Sequence, residues 1–442
     1  MLGSFRIKGG ERRVGPDGLV RAPDGHLMLE GLRLGDLAAQ FGTPLYVMHA
    51  GTVRSRLERW RRAMPESGVV YYAAKAFLCR AMVSVVAEAG ASLDVVSGGE
   101  LLTARLAGLS PDRMAWHGNV KTDDEMDFAM DDGVGVAVVD SLDEIERLDA
   151  AAGRHSRRQT VWIRLNLDVA VDTHAFIRTG HAGSKFGLAV QNGSAMKAVR
   201  AIRASSNLDL TGYHAHIGSQ LTGPEAYRQA GDRLMAWADE VDRETGFWPD
   251  WVDLGGGMAV SYADGEPELR PDDVVPMMLR LLGEGTPPGR PVPRLAVEPG
   301  RSVAAPAGLT LYRTEAVKRL ESGRRFLMLD GGMGDNIRPA LYQAKYTALA
   351  VQETGREREA VTLAGRYCES GDVVAHDVEL PRLGVGDLVA VLTTGAYNYS
   401  MAMTYNRVPR PAVVAVDDGR PSIWVRRETW ADVARLDEPQ VL

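Results

Sequence analysis

The sequence predicts an α/β protein: a closed (β/α)8 barrel followed by a second, β-rich domain of barrel or sandwich type. Three observations predict it. Eight short apolar, β-branched runs alternate with amphipathic helical patterns between Val69 and Glu298. Every one of those runs ends in polar or glycine residues. Past Arg301 the helical spacers shorten and the chain turns into β-branched runs broken by Gly, Pro and Asp. Alternating strands and helices build a parallel sheet, and eight units are what a closed barrel needs.

Length and composition agree. A chain of 442 residues with 45% hydrophobic content exceeds what one core supports, so two domains are expected. The barrel is assigned to residues 38–303, and residues 1–37 with 304–442 to the β-rich domain. A net charge of -7 without long runs of one sign argues against a nucleic-acid surface or a polybasic membrane patch. The N-terminus has no apolar core of signal-peptide length, and no uninterrupted apolar run is long enough to span a bilayer. A cytoplasmic protein acting on small molecules is expected. The two cysteines, Cys79 and Cys368, have no metal-ligand spacing, so neither a metal site nor a disulfide framework is expected.

In chain order, turn signals at Pro16–Gly18 and Pro23–Gly25 separate short candidate strands, and Gly51 to Ala63 has helical spacing. The barrel strands are read as Val69 to Lys75, Leu93 to Ser97, Met114 to His117, Val134 to Asp140, Val161 to Asn166, Gly212 to Ile217, Trp251 to Leu254 and Leu295 to Glu298. Helical patterns such as Leu78 to Ala89, Leu142 to Ala152 and Glu225 to Thr245 separate them. The second domain carries strand-like runs at Phe326 to Leu329, Val361 to Leu363, Leu388 to Leu392 and Ala412 to Val416.

A barrel enzyme assembles its site at the C-terminal ends of its strands. Here those ends offer Lys75; Asp94 and Ser97; His117 and Asn119; Asp140 and Ser141; Arg164 and Asn166; His216 and Ser219; Gly255, Gly256 and Gly257; and Glu298 with Arg301. Each has a plain structural reading. Lys75 is either a solvated strand end or a nucleophilic amine that condenses with an aldehyde cofactor. The glycines are either a flexible turn or a phosphate cradle, to which Ser219 would add a hydroxyl. Glu298 and Arg301 are either a salt bridge or part of a binding site. Together they acquire a specific meaning. Pyridoxal phosphate needs a lysine for its aldehyde, a phosphate site, and a carboxylate that keeps its pyridine nitrogen protonated.

These residues also carry a resemblance. Tyr72-Ala-Ala-Lys-Ala-Phe77, Asp94-Val-Val-Ser-Gly-Gly-Glu100, His216-Ile-Gly-Ser219, Asp253-Leu-Gly-Gly-Gly257, Glu298-Pro-Gly-Arg301 and Cys368-Glu-Ser-Gly-Asp372 resemble the motifs of the fold-type III pyridoxal-phosphate decarboxylases, in that family's order. The resemblance runs from about Gly42 to Val416. It implies a barrel of the alanine-racemase type and a homodimer whose active sites are finished by the partner's β domain. It further implies that Lys75 holds the cofactor aldehyde, His216 stacks on the ring and Glu298 pairs with the ring nitrogen. Asp94 and Arg164 would flank the lysine. Ser219, the Gly255 to Gly257 amides, Gly300 and Tyr397 would hold the phosphate, with Arg301 beside them. Arg301, Arg338, Tyr342, Cys368, Glu369 and Tyr397 would meet the substrate, with Cys368 as the candidate acid or a structural thiol. Ser184-Lys-Phe-Gly187, in the insertion after the fifth strand, is expected to serve as a lid.

Substrate chemistry follows from the charges. A distal amino-acid head group needs a cation for its carboxylate and an anion for its ammonium, which Arg301, Arg338 and Glu369 provide. An amino acid with a distal carboxylate is therefore expected as substrate. Two rivals are weighed: a racemase, for which an arginine would be expected in place of Glu298, and a non-catalytic regulatory relative, which would lack Lys75 or Glu298.

Overall fold

The computed structural model describes residues 12–13, 17–169, 184–263 and 265–438. The chain forms two compact units. One comprises residues 54–260 and 267–302, the other residues 1–53, 261–266 and 303–442.

In the first unit eight parallel strands close into a ring: β1 (Val69–Ala73), β2 (Ser92–Val95), β3 (Met114–Trp116), β4 (Val136–Val139), β5 (Gln159–Asn166), β6 (Leu208–His214), β7 (Trp251–Asp253) and β8 (Arg294–Val297). Each pairs with the next, and β8 returns to β1 through Ala296 opposite Val69 and Val297 opposite Val70. The strands read as continuous apolar runs because they are covered on both faces, by helices outside and by each other's side chains within. Tyr71, Ala115, Val136, Val138, Trp162 and Ala296 fill the lumen as one buried cluster. The Tyr71 and Trp162 rings meet edge to face at 6.1 Å. This plug closes the lower barrel, so polar groups past the strand ends gather above it.

The eight expected strands are all present, with ends displaced by a few residues. The polar residues sit in the loops just after them. Lys75, expected as the end of β1, belongs instead to a single 3-10 turn, Ala74–Ala76. Ser97 and Ser141 have become helix N-caps: their hydroxyls accept the amides of Glu100 and Glu144, each at 3.3 Å, and so start the helices Gly98–Leu106 and Leu142–Arg154.

The second unit contains a mixed sheet in the order Val373–Pro381, Arg358–Ala364, Arg325–Leu329, Gly308–Arg319, Leu45–His49, Ala412–Asp417 and Arg420–Val425. Strand Leu388–Leu392 joins it through Gly308–Arg319. A four-stranded antiparallel sheet ending at Leu32–Arg33 packs its leucines into the same core, with Leu45, Val47, Leu311 and Val414. The sequence places residues 38–53 with the barrel, whereas Leu45–His49 pairs with Gly308–Arg319 on one side and Ala412–Asp417 on the other. The chain changes unit at Arg54. Composition does not reveal this, because a buried apolar strand reads alike in either sheet.

Candidate active site

A cavity of about 380 Å³ opens at the C-terminal end of the barrel, lined among others by Lys75, His117, Arg164, His214, His216 and Glu298. The 3-10 turn after β1 directs Lys75 toward the end of β2, and its Nζ lies 2.6 Å from Asp94 Oδ2. Asp94 is fully buried while the lysine side chain keeps 38% exposure, so the amine is tethered yet reachable. The other Asp94 oxygen has no hydrogen-bond donor among the described residues. Glu100 stands behind this pair and accepts the Val96 amide at 2.7 Å. Burial, partly offset by that hydrogen bond, pushes its carboxyl up to about 7.

Across the cavity Glu298, just past β8, is met by two histidines. His214 Nε2 lies 3.3 Å from Glu298 Oε2 in a hydrogen bond. His117 Nε2 lies 2.7 Å from Glu298 Oε1, although neither of these two atoms is aligned for a hydrogen bond. Burial works against the Glu298 charge, but the two histidines outweigh it and hold the carboxyl well below its usual range. Burial also lowers His214 to about 4, so it is neutral at neutral pH. Asp253, at the end of β7, is driven the opposite way by burial and by the Glu298 charge, well above the carboxylate range.

His216 lies two residues beyond His214, and burial followed by the charges of Lys75 and Arg164 keeps its ring neutral. Its Nδ1 accepts the Gly256 amide at 3.2 Å. The Gly255 amide goes to Asp253 Oδ1 at 2.7 Å. Two of the three glycine amides are thus consumed inside the protein. The sequence reading, which turns all three toward a phosphate, is narrowed to Gly257, whose amide has no acceptor among the described residues. The glycines are needed for close approach: a Cβ at Gly256 would run into the Glu298 carbonyl oxygen, and one at Gly257 into that of Gly218. Ser219 Oγ accepts from Arg301 Nε at 3.2 Å and Nη2 at 3.0 Å. Gly300 fits against Ala73, where a Cβ would come within 2.9 Å of that side chain.

Arg164 is 3.7 Å from Asp140 and lies over the Phe186 ring at 4.5 Å. Phe186 belongs to the segment expected as a lid and lines the cavity, and Gly187 is tied to Asp140 Oδ1 at 2.9 Å. Residues 170–183 of that insertion lie outside the described residues.

The remaining expected residues are in the second unit. Arg338 is buried, donating to the hydroxyls of Tyr262 at 3.0 Å and Tyr346 at 2.5 Å, with the Tyr342 ring 5.9 Å away. Its Nε has no acceptor among the described residues. Cys368 and Glu369 are exposed on a turn, where the Cys368 amide donates to Asn406 Oδ1 at 2.9 Å. Tyr397 has a left-handed backbone, φ 60.

Sequence reasoning left His117 without a role and missed His214, Tyr262 and Tyr346. The His-Ala-His spacing at 214–216 carried the signal, since alternate residues of an extended chain share a face. Nothing in the sequence marks the tyrosines.

The donor set suits pyridoxal phosphate. Among the described residues, Glu298 Oε1, Asp94 Oδ1 and His214 Nδ1 are buried polar atoms left without hydrogen bonds, Glu298 and His214 line the cavity, and an amine stands on its wall. Comparison with known proteins agrees. Residues 50–305 match the family described as pyridoxal-dependent decarboxylase, pyridoxal binding domain. The chain belongs to the pyridoxal-dependent decarboxylases. Its relatives over nearly the whole chain include diaminopimelate decarboxylases. That of Bacillus subtilis (strain 168) is 40% identical over 94% of this chain and 96% of its own. That of Actinosynnema pretiosum subsp. auranticum is 44% identical over 95% and 94%. The crystal structure of the diaminopimelate decarboxylase from M. jannaschii in co-complex with L-lysine superposes with a TM-score of 0.90 at 32% identity, covering 97% of this chain and 99% of that one.

Proposed function

We propose that this enzyme removes CO2 from meso-2,6-diaminopimelate to give L-lysine, with pyridoxal phosphate held by Lys75, Asp94, Arg164, His216, Ser219, Gly257, Glu298, Gly300, Arg301 and Tyr397. The observation that carries the reading is the convergence of Lys75, His216 and an ionised Glu298 on one cavity, in a chain 40% and 44% identical to two diaminopimelate decarboxylases across nearly its whole length. When bound, the cofactor supplies the electron sink that accepts the bond electrons as CO2 leaves. Glu298 holds the proton of the ring nitrogen. His216, neutral and tethered to Gly256, offers a flat uncharged face. Asp94 orients the Lys75 amine.

Arg338 and Glu369 take the distal carboxylate and ammonium of the substrate, Arg301 and Tyr342 help to position it, and Cys368 delivers the proton that replaces the lost carboxylate. The Arg338 guanidinium is desolvated and carries an unpartnered Nε–H, which favours an anionic ligand. Two copies pair so that Cys368 and Glu369 of one complete the cavity of the other; their exposure on a turn supports this. We place the enzyme in the cytoplasm, a reading that two free cysteines support. Among the described residues no helix is long and apolar enough to cross a membrane.

The test is a decarboxylation assay across meso-diaminopimelate, L-lysine, L-ornithine and L-arginine, with Arg338→Ala in parallel. Preference for meso-diaminopimelate is expected. In the variant, kcat/KM for it falls by roughly two to four orders of magnitude, the cost of about 3–5 kcal/mol for removing one partner of a buried charge pair. Equal turnover of L-ornithine, or an unchanged preference in the variant, sinks the substrate assignment.

A further inference from the structure

The barrel mouth holds two carboxyl groups in one fully buried place. Asp253 ends β7 and Glu298 follows β8, and the backbone ties them together: the Leu254 amide donates to Ala296 O at 3.2 Å, and the Glu298 amide to Gly255 O at 2.9 Å. Asp253 is wholly buried and Glu298 nearly so. Two adjacent carboxylates in a dry site do not both ionise; they share a proton, and the surroundings decide which group keeps it.

The surroundings are asymmetric. His117 and His214 both stand on the Glu298 side, at 2.7 Å and 3.3 Å, with their rings edge to face and 4.7 Å apart. Among the described residues Asp253 receives only the Gly255 amide on Oδ1, and its Oδ2 meets no donor. Asp94 and Arg164 also act on the pair, the first as a further negative charge beside Asp253 and the second as a positive charge toward Glu298.

We propose that His117 and His214 are positioning residues that confine the single negative charge of the buried Asp253–Glu298 pair to Glu298 and leave the proton on Asp253. The direction of both carboxyl shifts agrees with this division. The site is then charged at one defined carboxylate before any ring nitrogen arrives. Without the histidines the proton moves onto Glu298, which then has no charge to set against a protonated pyridine. The consequence for cofactor binding rests on the function proposed above; the proton's location does not.

The experiment separates the two. Infrared spectra of cofactor-free protein carrying 13C-labelled aspartate should contain protonated-carboxyl absorption at neutral pH that weakens by one carboxyl in Asp253→Asn, the remainder coming from other buried aspartates such as Asp335, which burial pushes up to about 7. No such absorption in the wild type, or an undiminished one in the variant, overturns the proposal whatever the reaction. In pyridoxal phosphate titrations followed by fluorescence, His117→Leu and Glu298→Gln should each raise the dissociation constant by about tenfold or more, the equivalent of one pKa unit. His214→Gln, which keeps an N–H donor at the histidine hydrogen-bonded to Glu298, should stay within about threefold of the wild type. Asp253→Asn mimics the neutral acid and should shift binding far less than Glu298→Gln. A folded His117→Leu protein with wild-type affinity, or an Asp253→Asn loss equal to that of Glu298→Gln, overturns it as well.

Discussion

Lys75 Nζ lies 2.6 Å from Asp94 Oδ2, and the aspartate is completely buried while the lysine is not. A buried carboxylate thus steers a reachable amine. Lys75→Ala should lower kcat by at least about a thousandfold, and borohydride treatment of the wild-type holoenzyme should leave the cofactor label on Lys75. Peptide mapping decides the matter: a label on another lysine removes Lys75 from its role.

Gly256 is packed so tightly that a Cβ would enter the carbonyl oxygen of Glu298. Because that obstacle is backbone, it cannot swing away. Gly256→Ala should cost more than about 3 kcal/mol in urea unfolding or prevent folding, whereas Gly99→Ala, whose nearest neighbour is Ser97 Oγ at 3.8 Å, should stay within about 0.5 kcal/mol. Equal stability of the two variants would contradict this packing.

His214 gives stability a pH dependence of defined sign. Its folded value is about 4, against 6.5 for the free side chain, because burial disfavours the charged ring. Between those values the unfolded chain binds a proton that the folded chain refuses, so stability falls as pH drops from about 6.5 to 4, by about 3 kcal/mol from this residue. Unfolding curves at pH 7, 6, 5 and 4 for the wild type and His214→Asn test it. The difference between the two slopes should vanish above pH 7, and parallel curves throughout would refute it.

The pairing of two copies proposed above predicts complementation. Lys75→Ala and Cys368→Ala dimers, each inactive, should recover up to about a quarter of wild-type activity after subunit exchange, since half the dimers become heterodimers with one intact site. Proven exchange with no recovery would mean that each chain builds its site alone.

The barrel was legible because its strands are long enough in apolar, β-branched residues to stand out, and because a lysine, a glycine triplet and a glutamate each follow one. Direction was not legible. The sequence cannot say where an amide points, so Gly255 and Gly256 were read as facing a ligand when Asp253 and His216 hold them. Nor can it reveal long-range electrostatics: the charge of Glu298 depends on His117 and His214, which lie 181 and 84 residues earlier. Arg338 is expected from the resemblance, but Tyr262 and Tyr346, whose hydroxyls accept its N–H groups, reach it from separate stretches of chain with no pattern linking them.

The strand Leu45–His49 is synthesised before the whole barrel, yet both of its sheet neighbours, Gly308–Arg319 and Ala412–Asp417, are synthesised after it. The barrel unit is in effect inserted into the second unit, and its segments are complete while Leu45–His49 still has two open edges on the ribosome. Pairings so distant in sequence form slowly, and unpaired strand edges recruit other chains. Premature termination between Val303 and Pro411 therefore leaves an apolar strand permanently without its parallel neighbour, and such fragments are expected to aggregate even though every residue of the barrel has been made.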